Sequence, residues 1–108
     1  MRPILCKGGF PVPVKSGKCE VIGICAPANN TAAASRLTLQ DNDPYASLGN
    51  ALPTESTNLK NVVFDEKGVA SVDGNIYHMF KEPLVFINGV CLVNNSNLLP
   101  GRTIVYTR

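Results

Sequence analysis

Bulky apolar residues in this chain come in short runs of four to eight, rich in Val, Ile, Leu, Phe and Thr, each bounded by Gly, Asn, Asp or Pro. No window places apolar residues at i, i+3, i+4 and i+7 for three turns, so the pattern predicts strands and not helices. Residues 19–26 form the strongest run. Strict alternation there sets Val21 and Cys25 on one face and Ile22 and Ile24 on the other, which predicts a central strand, with Gly23 admitting a close neighbour. Arg36-Leu37-Thr38-Leu39-Gln40 alternates with its leucines inward and predicts one wet face. Thr103-Ile104-Val105-Tyr106-Thr107 closes the chain as a β-branched strand.

Between these runs lie the turn signals. Lys15-Ser16-Gly17-Lys18 reads as a turn, and Asp65-Glu66-Lys67-Gly68, Asp73-Gly74 and Asn88-Gly89 read as hairpin connections. Residues 76–80 and 83–87 read as two strands broken by Lys81-Glu82-Pro83. Pro11-Val12-Pro13-Val14 is extended, but its prolines lack N–H donors, which confines it to a sheet edge or a covering arm. The expected organisation is an extended N-terminal arm over residues 1–14 and one sandwich domain over residues 15–108. Residues 41–58, poor in bulky apolar side chains, form a long loop that is assigned to partner contact. Seven to nine short strands in about 100 residues fold as two sheets face to face, so the fold class is an all-β antiparallel β-sandwich with jelly-roll-like connections.

Composition narrows the function. At 108 residues the chain makes one domain, and area scaling lets it bury about two-thirds of an extended-chain surface of roughly 17,000 Å². Ten Lys+Arg against eight Asp+Glu give a net charge of +2, without the basic clusters that nucleic acid requires. No apolar run approaches a membrane span. Apolar residues make up 44% and charged residues only 17%, so part of an uncharged surface is expected to face something. The first nine residues contain no secretory apolar core, from which a chain made and kept in a cytoplasm is expected.

Candidate chemistry is sparse. Cys6, Cys19, Cys25 and Cys91 show no CxxC spacing, and Cys19 and Cys25 on one strand would be roughly 20 Å apart and cannot bridge; a pairing of Cys6 or Cys19 with Cys91 stays sterically open, and small core side chains are the favoured reading. Asp41-Asn42-Asp43 could offer oxygen ligands to calcium, but it lacks the glycine and distant glutamate of an EF-hand, and turn satisfaction is the favoured reading. Asp65, Glu66, Asp73, Glu20, Glu55 and Glu82 are read as solvated charges. His78, in phase with Ile76 and Phe80, is read as a hydrogen-bonded packing histidine. Arg2, Lys7, Lys15 and Lys18 make a modest basic edge. No catalytic, cofactor-binding or metal-ligating set is assigned, and no cofactor is expected.

The order of these segments resembles a group of small β-sandwich virion proteins of tailed bacteriophages. Val14-Lys15-Ser16-Gly17 is similar to their opening turn, residues 19–26 to the first core strand, and Leu37-Thr38-Leu39-Gln40-Asp41 to the strand that ends in an aspartate. Phe86-Ile87-Asn88-Gly89-Val90-Cys91-Leu92-Val93 is similar to their aromatic, glycine, aliphatic segment, and Thr103-Ile104-Val105-Tyr106 to the last strand. The chain departs from the pattern at Cys19, where a second turn glycine is frequent, and in the length of the 41–58 segment. The resemblance implies a non-enzymatic virion component. Its expected role is a capsid decoration or cement protein bridging major capsid protein subunits, with a tail, neck or carbohydrate-binding host-attachment part as the alternative. Copies are expected to gather as trimers or about local symmetry axes, without nucleic acid or membrane.

Overall fold

The computed structural model describes residues 2–6, 12–30, 33–42, 62–68, 74–94, 96–99 and 101–108. Eight strands run in order: β1 (Arg2–Cys6), β2 (Val12–Ser16), β3 (Cys19–Ala26), β4 (Ser35–Asp41), β5 (Val62–Gly68), β6 (Ile76–Phe86), β7 (Gly89–Asn94) and β8 (Thr103–Thr107). They form two four-stranded sheets, β1-β8-β3-β6 (sheet A) and β2-β7-β4-β5 (sheet B). Every described pairing is antiparallel. Strand 1 pairs with 8, 2 with 7, 3 with 6 and 4 with 5, as if one long hairpin were rolled around a barrel axis. This is the eight-stranded jelly roll, as the spacing of short strands and turns predicts. There is no helix among the described residues, and so none long and apolar enough to cross a membrane.

The core lies between the sheets. Val21, Ile24, Ile76, Phe86 and Val105 from sheet A meet Leu37, Leu39, Val90 and Leu92 from sheet B, each with no more than 2% of its surface exposed. Burying each such side chain contributes about 1.5–3 kcal/mol.

Several expectations are corrected. The register shifts between Val21 and Gly23 against both neighbours of β3, so Val21 and Ile24 both face the core while Cys25 turns outward. A single irregularity there breaks the strict alternation. Residues 76–86 are one strand and not two. The Lys81-Glu82-Pro83 interruption is absorbed within it, because the pairing jumps from Met79 opposite Gly23 to Leu84 opposite Val21. Asp65-Glu66-Lys67-Gly68 is the end of β5 and not a turn. Asn88-Gly89 does not close a hairpin within a sheet, because β6 and β7 belong to different sheets. Thr38 and Gln40 are as buried as the leucines, so the face of β4 expected to be wet is dry at these two and half-buried at Arg36.

The arm expected over residues 1–14 is built into the sandwich. β1 pairs with β8 at the edge of sheet A, and β2 pairs with β7 at the edge of sheet B, where Pro13 costs no central ladder bond. The pairing from Arg2 to Thr107 joins the two ends of the sequence, a contact that no local pattern announces. Of the 41–58 loop, Asp41 belongs to β4 and Asn42 follows it; residues 43–58 lie outside the described residues, as do Lys7, Glu55 and Asp73.

Candidate functional site

The site begins with the phase of β8. Thr103, Val105 and Thr107 point into the sandwich, which leaves Ile104 and Tyr106 on the outside of sheet A. Register carries that phase across the sheet. Leu5 stands opposite Ile104, Ile104 opposite Cys25, and Cys25 opposite Tyr77. In the next rung Pro3 stands opposite Tyr106, Tyr106 opposite Gly23, and Gly23 opposite Met79. Two adjacent rungs thus cross all four strands without a charged residue. Leu5, Tyr77 and Met79 on these rungs are 45%, 54% and 66% exposed. A two-layer sandwich needs only its inner faces apolar, so sheet A is apolar on a face that the fold itself does not cover.

The face has relief. A shallow depression of about 490 Å³ is lined by Ile24, Cys25, Tyr77, His78, Met79 and Tyr106. Gly23 makes room for it: the Met79 thioether and the His78 carbonyl oxygen lie where a Cβ on Gly23 would sit, the carbonyl 3.0 Å from it. Polar groups gather at one end. Arg108 pairs with Glu20 at 2.6 Å through Nη2 and 2.8 Å through Nε, and its amide donates to the Glu20 carbonyl oxygen at 3.0 Å.

His78 is packed at the seam between β5 and β6. Its ring stacks on Phe80 with centroids 5.7 Å apart and meets the edge of Phe64 at 5.5 Å. Its Nε2 pairs with Glu66, tying sheet A to sheet B. The sequence placed Asp65 and Glu66 in a solvated turn, but both are partnered on β5, Asp65 by the Arg36 guanidinium and Glu66 by the His78 ring. Arg36 donates to both Asp65 oxygens, at 2.9 and 2.7 Å, and the Thr38 hydroxyl donates at 2.7 Å. The Arg36 bond, aided by Thr38 and opposed by partial burial, holds the Asp65 carboxyl below its ordinary pKa.

The remaining candidates are structural. All four cysteines are free, with Cys6, Cys19 and Cys91 buried. Burial pushes the Cys6 thiol up to about 12 and the Cys91 thiol to about 11. The Asp41 oxygens accept amide hydrogens from Ile87 and Asn88, so the carboxylate satisfies a corner 46 residues away and not its own turn. Among the described residues no three His, Cys, Asp or Glu side chains gather as a metal site. Arg2 on β1 and Lys15 on β2 belong to the edge strands of the two sheets, which contact one another on the same side of the sandwich. The outer face of sheet A carries no motif, and its signature in the sequence is an apolar residue at nearly every position of residues 21–26 and 104–106.

No protein-family model, curated protein or solved structure matches the chain.

Proposed function

We propose that this protein is a non-enzymatic structural component of a virion, acting as a capsid decoration or cement protein that bridges neighbouring capsid subunits. The observation that carries the reading is the uncharged pair of rungs on the outer face of sheet A, a rigid sheet surface suited to contact and not to chemistry. The jelly roll is an architecture used by viral capsid and lectin domains, which raises the prior without assigning the role. The mechanism is mechanical. Each copy adds buried contact across a boundary between subunits, and many copies together oppose the outward pressure of packaged DNA. Few ions on the face means few ions to desolvate on docking.

A tail, neck or host-attachment role is the second reading. Tyr77 and Tyr106 beside the depression are the kind of aromatic surface on which sugars stack. The depression has no carboxylate, amide or guanidinium side chain in its lining, and this favours an apolar protein partner over a sugar.

Quantitative mass spectrometry of purified particles of the encoding phage tests the assignment. Hundreds of copies per particle match decoration, and a handful match the tail or attachment role. Particles without the protein reject the virion reading.

A further inference from the structure

We infer that Asn88 is a site of slow covalent modification, deamidation to aspartate and isoaspartate, and that Asp41 restrains the reaction at the corner between β6 and β7. Asn88-Gly89 is the only Asn-Gly step in the sequence. Asn88 is exposed, and among the described residues its side-chain amide makes no hydrogen bond. Asparagine is a chemically labile residue. In the reaction the Gly89 amide nitrogen loses its proton and attacks Asn88 Cγ. A ring C–N bond forms, the bond from Cγ to the side-chain nitrogen breaks, and that nitrogen leaves with the proton as ammonia. Water then opens the succinimide at either carbonyl, leaving aspartate or isoaspartate.

The fold itself imposes the labile step. A side chain at position 89 would crowd the attacking nitrogen, and glycine does not. Glycine is required there, because its φ of 152° is a conformation that L side chains rarely adopt.

Asp41 supplies the restraint. Its Oδ1 accepts the Asn88 amide at 2.8 Å and the Gly89 amide at 3.3 Å, and its Oδ2 accepts the Ile87 amide at 3.0 Å. The Asn88 carbonyl oxygen also accepts the Gly17 amide at 3.0 Å, and the Gly89 carbonyl oxygen accepts the Asn42 amide at 3.2 Å. Asn88 Cγ and the Gly89 nitrogen join only when the backbone between them turns, so local opening of these bonds must come first. Charge adds to the restraint. The attacking nitrogen is an anion once its proton is gone, and a carboxylate beside it disfavours that anion.

The products undo the clamp. Aspartate at position 88 sets a second negative charge on the residue whose amide Asp41 accepts. Isoaspartate adds a methylene to the main chain before Gly89 and carries it out of register with Ser16. Either product loosens the corner where the chain passes from sheet A to sheet B, and the escape of ammonia makes the change one-way.

The test is incubation of the purified full-length chain for weeks in mildly alkaline buffer, beside Asp41→Ala, Gly68→Ala and the wild type unfolded in urea. Gly68 pairs with Ser35, at the opposite end of β4 from Asp41, so its variant weakens the fold away from the corner. Circular dichroism checks each fold, and peptide mass spectrometry with enzymatic isoaspartate methylation reads the loss of Asn88. The unfolded chain should lose Asn88 fastest, and the folded wild type about tenfold more slowly or less. Asp41→Ala should react about fivefold faster than the folded wild type or more, whereas Gly68→Ala should stay within about twofold of it. Where Asp41→Ala does not fold, Asp41→Asn, which keeps one acceptor oxygen without the charge, carries the same comparison. An unfolded chain that keeps Asn88, a folded wild type as fast as the unfolded one, an Asp41 variant no faster than the wild type, or a Gly68→Ala chain as fast as that variant overturns the inference.

Discussion

Asp41 Oδ1 accepts the backbone amide hydrogen of Asn88 at 2.8 Å, fastening the end of β4 to the corner where the chain leaves sheet A for sheet B. The other carboxylate oxygen takes the Ile87 amide at 3.0 Å, and Oδ1 also receives the Gly89 amide at 3.3 Å. Amides at such a corner have lost their ladder partners, and an aspartate supplies acceptors where no strand can. Hydrogen bonds to a charged group contribute about 1.5–3 kcal/mol, less when partly solvated. Asp41→Ala should therefore cost about 1–2 kcal/mol, seen as a lower urea midpoint with an unchanged slope.

Asp65 gives the pH dependence. Its folded-state carboxyl lies below its ordinary value because of Arg36 first and Thr38 second. The stabilisation is therefore fully present above the unfolded-state pKa and is lost as pH falls through the folded-state pKa. Both partners are about a third exposed, which limits the contribution to less than about 1 kcal/mol. Arg36→Gln should raise the Asp65 pKa toward the ordinary carboxyl range, measured by carbon-detected NMR titration.

Thiol reactivity should divide the cysteines. Cys6 and Cys91, buried and pushed up to about 12 and about 11, carry almost no thiolate at neutral pH. Cys25, half-buried on the outer face, is the first thiol an alkylating reagent reaches. Brief native alkylation should label Cys25 ahead of the other three, and denaturation should expose all four, without any reductant. Peptide mass spectrometry reads both outcomes.

Gly68 is packed too closely for a side chain. An added Cβ would overlap the Ser35 hydroxyl and approach the Gly74 carbonyl oxygen to 2.7 Å and the Gly74 Cα to 2.8 Å. Backbone cannot swing aside as a side-chain tip can. Gly68→Ala should destabilise by about 1–3 kcal/mol in urea unfolding. Gly17→Ala meets no atom within 4 Å but must hold φ at +82°, so its cost, of order 1–2 kcal/mol, is conformational.

The strands were legible because a buried strand needs β-branched and aromatic residues and a turn needs Gly, Asn or Pro. Cys19–Ala26 and Thr103–Thr107 stand in the structure where the pattern places them. Which face each residue takes was not legible at Gly23, because one register shift reverses the phase and leaves no trace in local composition. Likewise, alternation along β4 distinguishes two faces but not whether either meets water, and Thr38 and Gln40 are buried. Pairings such as Arg2 with Thr107 are long-range and lie beyond any window. The outer face of sheet A was half legible. Low charge announced an uncharged surface with something to face, but only register could align Leu5, Ile104, Cys25 and Tyr77 into one rung.

Oxidative footprinting of Met79 tests the claim that this rung face is made to be covered. In the free chain its thioether, 66% exposed, should form sulfoxide rapidly, and the rate should fall severalfold in purified particles that carry the protein. Met79 oxidation that proceeds at the same rate in the free chain and in particles would contradict the account.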